Sequence, residues 1–130
     1  MRNYSTLLLA TFGILGGLAL QGCSYHARGP EDYRSDTRRA IESSREEIRT
    51  CYDEVLKKKR KAAGTVVVSF KVEKKTGQFK DVQVDESATT APEPIVECVM
   101  NILSNLILDP PDARDGIAES FTLEFTPPKT

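Results

Sequence analysis

From Thr65 to Glu73 the chain reads Thr-Val-Val-Val-Ser-Phe-Lys-Val-Glu. Val66, Val68, Phe70 and Val72 fall on one side. Thr65, Ser69, Lys71 and Glu73 fall on the other, with Val67 the one exception. A period of two marks a strand with one apolar face. Such a face has to be buried against another layer, so the fold turns on what the rest of the chain can supply as cover.

Two further segments continue the alternation. Thr76-Gly77 marks a turn, and Val82 and Val84 follow it in a second strand, so the pair reads as a hairpin. Ile117, Phe121, Leu123 and Phe125 alternate with Ala118, Ser120, Thr122 and Glu124 in a last strand that Pro127-Pro128 stops. Two other segments have helical spacing. The first starts at a cap on Ser35 or Asp36 and runs to about Lys61. Its apolar positions are Ile41, Ile48, Cys51, Tyr52, Val55 and Leu56, and Gly64 ends it. The second runs from about Pro92 to Asn105, with Thr90 and Glu93 at capping-box spacing and Asp109-Pro110-Pro111 as a break. Its inward positions are Ile95, Cys98, Val99, Ile102, Leu103 and Leu106. The expected fold is therefore α+β. Two helices pack on one face of a three-stranded antiparallel sheet, in the order α-β-β-α-β.

The amino terminus belongs to none of this. Arg2 is the only charge before an uncharged run, Leu7 to Leu20, rich in Leu, Ala and Gly. The run is shorter than the roughly 18 apolar residues of a membrane-spanning helix and fits the apolar region of an export signal. It closes on Leu20-Gln21-Gly22-Cys23, which resembles a bacterial lipobox. That resemblance implies cleavage after Gly22 and acyl chains on Cys23, enough for stable anchoring to a membrane. Residues 1–22 then form a lipoprotein signal peptide, 23–35 a lipidated tether and 36–130 the folded domain. Ser24 stands where an Asp would resemble an inner-membrane retention signal, so the periplasmic face of the outer membrane is the expected address. Cleavage removes Arg2, so 18 basic residues become 17 against 19 acidic ones. That balance argues against a nucleic-acid partner.

Three cysteines are present. With Cys23 acylated, Cys51 and Cys98 remain, and in an oxidising envelope two thiols read as one disulfide. Each lies on the inner stripe of its helix, so the bond would tie the two helices together above the sheet.

The same residues resemble a known family. Ile48, Cys51-Tyr52 and Leu56, then Gly64 to Val72, Gly77, Val82, Val84, Cys98-Val99 and the strand Phe121 to Phe125 are similar to the TonB C-terminal domain. They are closer to its cysteine-containing variant, the AgmX/PglI C-terminal domain of myxobacterial envelope proteins. The resemblance spans about residues 45–127. It departs where Leu106-Ile107-Leu108-Asp109-Pro110 replaces the family's aromatic residue followed by Pro. It implies a protein-interaction module of a transport or motility assembly that takes an extended envelope protein or peptide segment on a sheet edge. By that analogy the accepting edge is the last strand, with Ser120, Thr122 and Glu124 facing outward, and self-association into a homodimer is the competing use.

Catalytic chemistry finds little to work with. The single histidine, His26, lies in the tether, and no phosphate-cradling Gly-rich loop is present. The acidic residues are scattered over polar faces and loops, so no catalytic group, metal or cofactor is expected. One other feature could bind. Lys57, Lys58, Lys59, Arg60 and Lys61 could contact anionic headgroups or cell-wall polymer, which would make the chain a structural lipoprotein.

Overall fold

The structure, a computed structural model, describes residues 27–129. Within them the elements are α1 (Pro30–Ser43), α2 (Arg45–Lys58), β1 (Gly64–Val72), β2 (Phe79–Val84), α3 (Glu93–Leu103) and β3 (Gly116–Phe125). The fold is α+β, with three helices against an antiparallel sheet of order β2-β1-β3.

β1 is the central strand, and its alternation is what the sheet is built on. Val66, Val68, Phe70 and Val72 are almost wholly buried, and Ser69 and Lys71 between them are exposed. Phe70 stacks on Phe79 of β2 with ring centroids 4.6 Å apart. On the far side Phe125 of β3 meets Tyr52 of α2 edge to face at 5.2 Å. Both neighbours of β1 carry an extra residue. Ser69 pairs with Gln83 and Lys71 with Lys80, so β2 uses three steps where β1 uses two. Val68 pairs with Phe121 and Phe70 with Ala118, so β3 does the same. In β2 the bulge is taken up at Asp81, which has a positive φ of 49°. In β3 the bulge reverses the facing of everything before it. Ile117, expected inward with Phe121, instead lies opposite Lys71 and is 71% exposed, because a one-residue slip moves a side chain to the other face.

The single first helix expected over 36–61 is two helices. α1 begins earlier, at Pro30, where a fixed φ and a missing N–H suit the first helical position. Glu31 and Asp32 follow in its first turn. Tyr33, Thr37 and Ile41 are its buried positions. The chain bends at Ser44 (φ −94°, ψ 9°). There Ser43 turns its hydroxyl onto the Ala40 carbonyl, a local bond that competes with helix continuation. The buried stripe nonetheless runs through the bend: Tyr33, Thr37, Ile41, Ser44, Ile48, Tyr52 and Val55 are spaced by three or four. α2 stops at Lys58, so Lys59 to Lys61 belong to the connection that follows. Ala62 is buried in that connection, and its carbonyl accepts the Tyr52 hydroxyl at 2.6 Å.

α3 is shorter than expected, and its cap differs. Pro92 occupies the N-cap position without a side-chain bond. The Thr90 hydroxyl serves the sheet instead, accepting the Thr65 N–H at 2.9 Å. Thr65 O takes the N–H groups of Thr90 and Ala91, and Val67 O takes that of Asp85. Residues 85–91 thus complete the β1 edge that the shorter β2 does not reach. This close pass fixes Gly64. Its φ is +144°, and a Cβ there would lie 2.6 Å from the Ala91 backbone.

Cys51 of α2 and Cys98 of α3 form a disulfide, with Cα atoms 5.8 Å apart. It joins the two helices across 47 residues of sequence. Closing a loop of that length stabilises by up to about 4 kcal/mol through the unfolded state. The Cys51→Ala/Cys98→Ala double variant should therefore lose stability towards that limit in urea titration. Reductant should move the wild type but not the variant, and intact mass should rise by two hydrogens on reduction. Gly64→Ala should cost on the order of 1–3 kcal/mol in the same assay, the range for a residue forced into a disallowed backbone region.

Candidate partner-binding edge

The two outer edges of the sheet differ. Along β2, the Phe79 N–H donates to Leu106 O at 3.0 Å and the Leu108 N–H to Gly77 O at 2.7 Å, with Gln78 and Ile107 bridged between them. The chain's own 106–108 segment thus covers the start of that edge, and the bulge at Asp81 bends the remainder. β3 has no such cover. Among the described residues, no strand or bridge pairs with it on the side away from β1. Ser120, Thr122 and Glu124 are exposed along it, with Thr122 opposite Val67 and Glu124 opposite Thr65.

Beside this edge the helix layer does not close down on the strand. A groove of about 450 Å³ runs between the α1–α2 bend and β3. Ile41, Ile48 and Tyr52 line its helical side, and Phe121 and Leu123, both half-buried, line its strand side. Arg38, Arg45 and Arg49 also line it, spaced so that they follow one side of the bent helix pair. The Arg38 guanidinium sits 5.4 Å over the Phe121 ring, a cation–π contact. Arg45 pairs with Glu42 at 2.6 Å. The groove therefore offers an open backbone edge, apolar walls and a cationic rim.

The other sequence-derived positions do not join this site. Lys57 to Lys61 are all exposed, at the end of α2 and the turn after it. Lys57 pairs with Glu54 at 2.5 Å, and only Lys57 and Lys58 of the run are helical. Cys23, His26 and the signal region 1–22 lie outside the described residues. No group of three metal-ligating side chains occurs among the described residues. No described helix is long and apolar enough to cross a membrane.

A buried polar cluster next to α1 was not expected from the sequence, because 23–35 reads as a polar tether. The Arg28 side chain is only 2% exposed. Its Nε donates to Asp36 at 2.6 Å, its backbone N–H donates to Asp112 at 2.8 Å, and its Nη1 lies 3.7 Å from Asp112. Tyr33 packs its ring directly over Gly116, at the first pair of the β1–β3 ladder. Burial, then the nearby Asp112 charge, push the Tyr33 hydroxyl well above its ordinary range. Asp112 moves the other way. Burial alone would raise its carboxyl, but the backbone N–H groups of Arg28 and Arg114 and the Arg28 charge outweigh it and hold the group low. The signal for this cluster was Pro30-Glu31-Asp32, a helix start, followed by Tyr33, Thr37 and Ile41 at spacings of four.

Comparison with known protein families, with curated proteins and with solved structures finds no match to this chain.

A carboxyl whose folded value lies below its ordinary 3.8 favours the folded state above that pH, and the contribution is lost as pH falls through the lowered value. Asp112→Asn should therefore be less stable than wild type at neutral pH. The gap should narrow as pH falls from 5 towards 2, with urea midpoints across that range as the measure.

Proposed function

We propose that this protein is a lipid-anchored, non-catalytic module of the bacterial cell envelope, held to a membrane by acyl chains on Cys23. It takes an extended segment of another envelope protein as an added strand on β3. The observation that carries this reading is the contrast between the sheet edges. The backbone groups of β1 are served on both sides and the start of β2 is covered from within the chain, while β3 stands open beside a groove. Open edges accept strands through backbone hydrogen bonds, with alternate side chains giving register.

The groove indicates what the added segment should contain. One set of alternate side chains would enter between Ile41, Ile48, Tyr52 and Phe121, which suits apolar residues. Flanking carboxylates would meet Arg38 and Arg49, so a segment mixing apolar and acidic residues fits best. The resemblance to the AgmX/PglI type of TonB C-terminal domain points the same way, to an interaction module of a transport or motility assembly at the periplasmic face of the outer membrane. A second copy of this chain is the competing occupant of the edge.

In-cell photo-crosslinking tests this. A probe at Thr122 should capture a discrete protein, and one at the exposed Lys71 on the opposite strand should not. Arg38→Glu/Arg49→Glu should weaken the capture. Crosslinks from Thr122 only to lipid, wall polymer or another copy would reject the strand-addition reading.

A further inference from the structure

The chain enters the fold at one end of the sheet, and that entry point constrains how an anchored domain can sit. We infer that the end of the sheet formed by the β1–β2 turn, the 106–115 loop and the start of β3 rests against the lipid surface. The Lys57–Lys61 end is then held away from it. This rests on the proposed acylation of Cys23 and concerns orientation only.

Arg28 is the first fixed point. Its buried guanidinium and its backbone bond to Asp112 pin the chain five residues after Cys23. Five residues reach at most about 18 Å when fully extended. A tether of 23–35 would let the domain tumble well clear of the bilayer, whereas one that ends at Arg28 does not. Asp112 lies within the same end. It is four residues before Gly116, where Tyr33 packs, and its carbonyl accepts the Lys75 N–H of the β1–β2 turn at 2.9 Å.

The apolar surface agrees with this. Single exposed isoleucines are ordinary on a protein surface. Here, though, the two exposed large hydrophobic residues among the described residues, Ile107 at 62% and Ile117 at 71%, both belong to this end. Ile107 bridges Gln78 beside the turn, and Ile117 follows Gly116. Lys71 and Gln78, their partners across the sheet, are exposed, and directly paired residues share a face. Both isoleucines therefore lie on the sheet face away from the helices, near the entry point. Lys74, Lys75 and Arg114 belong to the same end, together with the exposed Asp109 and Asp115, and Lys74 pairs with Asp115 at 3.9 Å. Exposed isoleucines flanked by long cationic side chains suit the headgroup boundary of a bilayer.

The opposite end is fixed by the same ladder. Val72 pairs with Gly116 at the seated end and Gly64 with Phe125 at the other. Nine residues of β1 span about 30 Å, and Lys57–Lys61 lie just before Gly64. The basic run thus faces away from the anchoring leaflet.

The sequence contains no tryptophan, so single reporters can be read directly. Full-length protein purified from membranes, as Ile107→Trp, Ile117→Trp or Lys59→Trp, is reconstituted into phosphatidylethanolamine/phosphatidylglycerol vesicles with or without brominated acyl chains. Intact mass records acylation of each sample. The expected result is acylated protein in which brominated lipid quenches Trp at 107 and 117 and leaves Trp at 59 unquenched. Acylated protein with quenching at 59, or at none of the three, overturns the orientation and leaves the anchoring intact. Protein that carries no acyl mass overturns both.

Discussion

β1 is satisfied in every direction, and the rest of the molecule is arranged to make it so. Its inner face is sealed by the helices and its backbone is paired along both sides. Where β2 is too short, the 85–91 segment supplies Thr89, Thr90 and Ala91 in its place. An unpaired buried backbone group costs about as much as a lost hydrogen bond, so this completion is a condition for burying the strand at all. It also explains Gly64, since only a residue without a side chain lets the 90–91 backbone come close enough. The open edge of β3 stands out because both sides of β1 are served and the start of β2 is covered from within the chain.

The helix layer is held by different means. The α1–α2 bend lets one buried stripe follow the curvature of a twisted sheet, and the disulfide fixes α2 against α3. Cys51 and Tyr52 are neighbours on α2 that point apart, one to α3 and one to Phe125 and Ala62. A two-residue motif thereby sets the distances from α2 to both its neighbours. The Arg28–Asp36–Asp112 cluster does the equivalent work for α1, tying its start to the loop before β3.

Much of this could be read from the residues. Val66, Val68, Phe70 and Val72 mark the central strand because a period of two survives any tertiary context that buries one face. The cysteine pair followed from counting. Two features were hidden for specific reasons. Ile117 reads as core because alternation counted back from Phe121 assumes no inserted residue, and nothing in the letters announces a bulge. The start of α1 is masked by its polarity: Thr37 takes a core position with its hydroxyl bonded back to Tyr33 O, and Arg28 is buried by partners 8 and 84 residues away. For the candidate edge, Thr122 and Glu124 were identifiable as outward residues. The groove beside them depends on the helix bend, and so was not.

The bulge in β3 has a further consequence. A strand added to that edge finds an unbroken template only from Phe121 to Phe125, because the ladder shifts before Phe121 and Pro127 lacks an N–H beyond it. On the proposed strand-addition reading, this edge is a built-in ruler: it would match about five residues of an incoming chain, some 17 Å, and a longer complementary sequence would gain nothing from its excess length.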